Sequence, residues 1–229
     1  PKTAALALSK QNVHAVSTMR SILFPLALLG CFRDVETVFP PGLEPLGEMR
    51  VQLENPDGNY PETLKLAAGI DEDIWVHARG YIHSDVPTVW NALRTEDVFI
   101  DRRAVASYSV EWDTEPEYEV SFTVSQTVED IITVSYDVAF RHGRVGEGDS
   151  DDNPEIVSIR FQKVFGTEII EKMEGSIVLL TVADGITEFQ FQEHMMTPLP
   201  DTSDLESYVE DMYSEMLLWV RGEALPSYD

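Results

Sequence analysis

From residue 73 onward, apolar and polar positions alternate in short runs. Ile74, Val76, Ala78 and Ile82 share one side of a strand over 75–83. Val86, Val89, Trp90 and Leu93 then recur at helical spacing, with Pro87 near the first turn. A second short helix is expected over 95–100. Six β-runs follow. Ala106, Tyr108, Val110 and Trp112 alternate in the first, and Val120, Phe122 and Val124 in the second. Ile132, Val134, Tyr136, Val138 and Phe140 form the clearest series, and Val157, Ile159 and Phe161 the next. Residues 168–182 are more continuously apolar and end at a turn, Ala183-Asp-Gly185; Phe189 and Phe191 mark the last strand. Strict alternation implies antiparallel strands with one covered face. The chain closes with a long helix. Ser203-Asp-Leu-Glu206 has the form of a capping box, and Leu205, Val209, Met212, Tyr213, Met216, Leu217 and Val220 form an apolar stripe ending before Gly222.

The expected class is therefore α+β. Seven antiparallel strands form a curved sheet wrapped on a C-terminal helix, with two short helices after the first strand. This order resembles the helix-grip fold of the START-related superfamily, also called SRPBCC or polyketide-cyclase-like. Tyr81-Ile-His-Ser-Asp-Val-Pro-Thr-Val-Trp-Asn-Ala-Leu93 is similar to the family's first strand running into its helix. Gly175-Ser-Ile-Val-Leu-Leu-Thr-Val-Ala-Asp-Gly-Ile-Thr187 is similar to its penultimate strand and turn. Ser84 departs from the alanine common at that place. The resemblance covers about residues 73–222 and implies a ligand space between sheet and helix, without naming the ligand.

Ahead of this pattern, residues 32–70 hold Pro40, Pro41, Pro45, Pro56 and Pro61 and keep no period. They read as an irregular tether with a short helix at 62–68. A flexible coil of that length has its ends roughly 35 Å apart. Further forward, a basic start at Met19-Arg20 leads into an uncharged apolar run over 21–29, too short to span a membrane. Leu28-Leu29-Gly30-Cys31 resembles a bacterial lipobox, whose cysteine is acylated and becomes the mature N-terminus. Leu29 is bulkier than the usual choice. Phe32 stands where aspartate would signal inner-membrane retention, so the resemblance implies an outer-membrane anchor in the cell envelope. On this reading residues 1–30 are upstream sequence and signal, with Met19 as initiator. Residues 31–71 are acylated cysteine and tether, 72–224 the ligand-binding domain, and 225–229 a tail.

Charge narrows the partners. The chain carries 41 acidic residues against 16 basic ones, a net charge of −25, with no acidic residue before Asp34. Such a surface repels phosphate, which argues against nucleic-acid binding. Cys31 is the single cysteine, so neither an internal disulfide nor a thiolate metal cluster is possible.

The inward β positions carry the candidate site. Tyr108, Val110, Trp112, Val120, Phe122, Val124, Val134, Tyr136, Val138, Val157, Ile159, Phe161, Phe189 and Phe191 are apolar or aromatic, with Lys163 the one charge counted at the same parity. With Met212 and Met216 of the helix, they are the expected lining of an apolar cavity for a hydrophobic small molecule or lipid. Tyr108, Tyr136 and Lys163 are the expected polar contacts, and Met195 and Met196 add adaptable wall. No nucleophile elbow, phosphate loop or dinucleotide fingerprint occurs. His77 and His83 share the outer face of the first strand with Arg79; His142 and His194 sit at strand ends, and none has metal-ligand spacing. Asp149, Asp151 and Asn153 open like a calcium loop, but Pro154 and Arg160 break the pattern. No catalytic residue, metal or cofactor is assigned. The alternatives are a cyclase or aromatase using Lys163, Tyr136 or His194 in the same space, or an acidic interaction module with a closed core.

Overall fold

The computed structural model describes residues 33–228, apart from 56, 130–131, 147–153 and 199. Cys31, the lipobox and the 149–153 acidic run lie outside the described residues. The chain forms β1 (Lys65–Ile70), β2 (Ile74–Ile82), α1 (Val86–Ala92), α2 (Glu96–Phe99), β3 (Val105–Trp112), β4 (Val120–Glu129), β5 (Thr133–Arg144), β6 (Ile156–Gly166), β7 (Lys172–Ala183), β8 (Ile186–Met196) and α3 (Ser203–Val220). All strands join one antiparallel sheet in the order β1-β2-β8-β7-β6-β5-β4-β3.

The expected helix-grip arrangement is present, with eight strands instead of seven. The additional one is β1, where a helix at 62–68 was expected within the tether. Lys65 pairs with Arg79 and Ile70 with Ile74, so Asp71-Glu72-Asp73 is a hairpin turn. The physical signal is the alternation of Leu64, Leu66 and Ala68, all packed against the core.

Register explains why alternation became one concave wall. Tyr108 faces Gln126 and Trp112 faces Phe122. Phe122 faces Phe140 and Val124 faces Val138, Phe140 faces Phe161 and His142 faces Ile159, Ile159 faces Ile177, and Ile177 faces Phe191. Paired residues project to the same side, so every inward position expected from the sequence lies on that face. Helix α3 lies across it. The Tyr213 hydroxyl donates to the Tyr81 carbonyl at 2.6 Å and the Tyr208 hydroxyl to the Phe99 carbonyl at 2.8 Å. A Cβ at Gly80 would stand 2.7 Å from the Tyr213 ring, so glycine is what admits the helix this close. Asp85 caps α1 by accepting from the Thr88 amide at 2.9 Å. The capping box expected at Ser203 does not form: Thr202 is the N-cap and makes no side-chain cap bond.

The tether expectation is corrected for the described residues 33–64. Of these, residues 33–51 are strapped across the convex face. Val35 and Thr37 donate to the Gly166 and Val164 carbonyls at 2.9 and 2.8 Å. Beyond them the contacts reverse. Arg141 reaches the Phe39 and Pro40 carbonyls, Gln162 the Val38 carbonyl, Arg160 the Glu44 carbonyl, and Gln192 the Gly47 carbonyl. A proline-rich segment lacks donors but keeps its acceptors. The polar residues at the outward β positions supply the missing N–H groups. Arg141, Gln162 and Gln192 are accordingly buried. The domain thus begins by residue 33, not 72. The tail from 225 is packed on the domain: the Pro226 carbonyl accepts from Arg102 at 3.1 Å, and Tyr228 donates to Glu215 at 2.9 Å.

Candidate functional site

A cavity of about 300 Å³ opens between the sheet and the first turns of α3. Four segments ring its mouth: the α2–β3 loop with Asp101 and Ala104, the β4–β5 end with Val128 and Ile132, the β6–β7 loop with Ile169 and Ile170, and the approach to α3 with Thr197, Asp201 and Asp204. Val124, Val134, Tyr136, Val138, Phe140, Phe161, Met173 and Met195 form its apolar walls.

Of the residues expected to line it, Val124, Val134, Tyr136, Val138, Phe161 and Met195 do so. Most of the others face the same way but pack shut. Phe122 fills the neighbouring half with ring centroids 4.6 Å from Phe99, 4.7 Å from Trp112 and 4.8 Å from Phe140. Val157, Ile159, Phe189, Phe191, Met212 and Met216 are fully buried core, and Val110 and Val120 pack on its margin. Tyr108 and Trp112 belong to edge strand β3 and are 39% and 41% exposed. Lys163 is not a ligand contact: its ammonium donates to the Thr167 and Ile170 carbonyls at 3.1 and 2.7 Å, stapling the β6–β7 loop. Burial lowers its pKa, against the pull of Asp34.

The expectation that Lys163 alone brings charge to this face is overturned by Glu193. Its side chain lines the cavity with 0% exposure, and neither carboxylate oxygen has a hydrogen-bond partner. Burial, reinforced by the nearby Asp101 charge, pushes its pKa up to about 8. The carboxyl is therefore mostly protonated at neutral pH. Its signal was present in the chain: Phe189, Phe191, Glu193 and Met195 follow one parity, and the acid interrupts an apolar series. Asp101 at the mouth is also shifted up by burial, although the Arg103 and Ala104 amides, both at 3.2 Å, pull it back. Tyr136 and Tyr208 on the cavity wall are held protonated by burial, with Glu193 the next cause in each case.

The histidines take other places. His77 and His194 lie on the convex face with their Nε2 atoms 3.2 Å apart, a pairing made by β2–β8 register that no linear spacing announces. His77 Nδ1 accepts from the Arg50 amide at 3.1 Å, which places its proton on Nε2, facing His194. Burial, then His194 and Arg50, depress the His77 pKa to about 4. His142 is inward and buried and accepts from Trp90 Nε1 at 3.0 Å; burial depresses it to about 3. His83 meets the Tyr60 carbonyl at 2.7 Å. Among the described residues no group of three or more His, Cys, Asp or Glu side chains is arranged to hold a metal. The set considered for cyclase chemistry is not assembled: Tyr136 faces the cavity, Lys163 is tied to its loop, and His194 is on the opposite face of the sheet.

No family model matches the chain, and no curated protein matches it. Solved structures of similar fold include a STAR-related lipid transfer protein fragment from Xanthomonas axonopodis, at 15% identity and TM-score 0.47, over 74% of this chain and 95% of that one. The Zhui aromatase/cyclase from Streptomyces is similar at 12% identity and TM-score 0.42, over 70% and 93%. A human StarD13 domain described as a lipid transfer and protein localization domain is similar at 10% identity and TM-score 0.44, over 75% and 87%. These are likenesses of form; the chemistry available here is that of the cavity's own residues.

Proposed function

We propose that this domain holds a compact hydrophobic small molecule, or one end of a lipid, in the cavity beneath α3. The observation that carries this is an apolar chamber of about 300 Å³ with one buried polar group aimed into it. At roughly 30 Å³ per water-sized atom, that volume takes about ten non-hydrogen atoms. A whole two-chain phospholipid exceeds it. The test is uptake by the full chain of 1-naphthol, a neutral fluorophore of about that size. Saturable enhancement is expected, and Val138→Trp, which fills the chamber, should abolish it while the far-ultraviolet spectrum is kept. Absence of saturable uptake, or uptake unchanged in Val138→Trp, would overturn the reading.

We further propose that an acylated Cys31 attaches the chain to a bacterial envelope membrane, the outer one because Phe32 stands where aspartate would mark inner-membrane retention. Support comes from the Leu28-Leu29-Gly30-Cys31 pattern and the step in charge after it. Arg33 is held to the β6–β7 loop, its carbonyl accepting from the Glu168 amide at 3.0 Å. Two residues of chain span at most about 7 Å. An anchor at Cys31 therefore keeps that loop, whose Ile169 and Ile170 line the mouth, close to the bilayer instead of at the end of a long stalk. Metabolic labelling with an alkynyl fatty acid in a bacterial host should mark the protein and fail for Cys31→Ser. Equal labelling of both would refute the anchor.

A further inference from the structure

We infer that the cavity selects a ligand bearing a basic nitrogen, an alkyl or arylalkyl amine whose ammonium group pairs with Glu193. The inference rests on the cavity being a ligand site and names the chemical class that site takes. A buried carboxyl with both oxygens unpartnered is costly and calls for an explanation. A purely apolar occupant would leave it orphaned. A carboxylate ligand would set two acids face to face. An ammonium group brings three donors and the opposite charge, enough to satisfy both oxygens.

The rest of the lining points the same way. Its charged members are Glu193, Asp101, Asp201 and Asp204; among the described residues no lysine, arginine or histidine lines the chamber. Asp201 and Asp204 are exposed at the mouth, where they draw cations inward. Tyr136 and Tyr208 stand on the wall close enough to Glu193 to feel its charge, and aromatic faces of this kind favour a cation. The Tyr208 hydroxyl is given to the Phe99 carbonyl. Lys163, the nearby buried cation, is engaged with main-chain carbonyls.

Binding carries a proton signature. Around neutrality the empty chamber holds Glu193 as the neutral acid. An incoming ammonium keeps its own protons and displaces the carboxyl proton to solvent, so one proton leaves for each amine bound. Asp101, Asp201, Asp204, Tyr136 and Tyr208 are the other titratable groups facing this space. The tyrosines stay protonated throughout.

Three probes of one shape decide the matter: octylamine, octan-1-ol and octanoate, each of roughly ten non-hydrogen atoms. They are titrated calorimetrically into the full chain between about pH 6 and pH 8, in buffers of different ionisation heat. Octylamine should bind at least about tenfold tighter than octan-1-ol, with octanoate weakest. Its affinity should rise by up to about tenfold per pH unit below pH 8, with close to one proton released at pH 6. Glu193→Gln should keep octan-1-ol binding and lose both the amine preference and the proton release. Octan-1-ol or octanoate binding as tightly as octylamine would overturn the inference, as would an amine preference that survives in Glu193→Gln. The proton count on the wild-type chain needs no variant, and a value near zero would also overturn it. Failure of all three probes would instead sink the ligand-site reading beneath it.

Discussion

The concave face is one wall with two fates. Around Phe122 it is solid: four aromatic rings interlock with it at centroid distances below 5.5 Å. Around Tyr136 of β5 and Glu193 of β8, it borders a chamber of about 300 Å³. Hydrophobicity does not separate the halves, since Val124, Val134 and Val138 are as apolar as Val157 and Ile159. What separates them is the cover. Helix α1, α2 and the later turns of α3 press side chains into one half. The first turns of α3 lie over the other with a gap left beneath. A greasy inward position is thus a requirement for either role and evidence for neither.

The contrast can be broken most forcefully at Phe122. Phe122→Ala removes the hub of the packed half and should cost about 3–5 kcal/mol in urea denaturation. Ligand uptake in surviving folded protein should change little. A cost below about 1 kcal/mol would mean that this half is no better packed than the other.

Glu193→Gln sharpens the contrast from the open side, through pH. The folded-state pKa of about 8 lies above the unfolded value of 4.5. The wild-type stability contributed by the neutral acid is complete below pH 4.5 and is lost as pH rises through 8. The glutamine variant has no such loss. It should match the wild type near pH 4.5 and exceed it by about 2 kcal/mol or more above pH 8. Parallel stability–pH curves for the two proteins would show that the carboxyl is not buried as described.

The smallest effect belongs to the chamber wall. Val134→Ala, at a half-buried position already beside empty space, should cost under about 1 kcal/mol. It should nonetheless alter probe affinity measurably. A loss of stability as large as that at Phe122 would erase the distinction between the two halves.

Much of this was legible in the chain. Period-2 runs at 106–112, 120–124, 132–140 and 157–161 specified which side of each strand is inward, because side-chain direction alternates whatever the strand pairs with. Glu193 was legible by the same parity and needed only to be counted. Strand β1 was obscured by the prolines around it. The His77–His194 pair was invisible, because β2 and β8 meet only through the sheet. The strap over 33–51 left no periodic trace of its own. Its signature sits elsewhere, on Arg141, Arg160, Gln162 and Gln192, whose donors complete a segment poor in its own.

The chain by itself determined the elements, their order and the two faces of the sheet, since backbone geometry turns local alternation into sidedness. Only the tertiary structure decided where that inward face closes and where it stays open, which acid is left without a partner, and what covers the back. Those outcomes depend on distances between side chains far apart in sequence, and no local pattern encodes a gap.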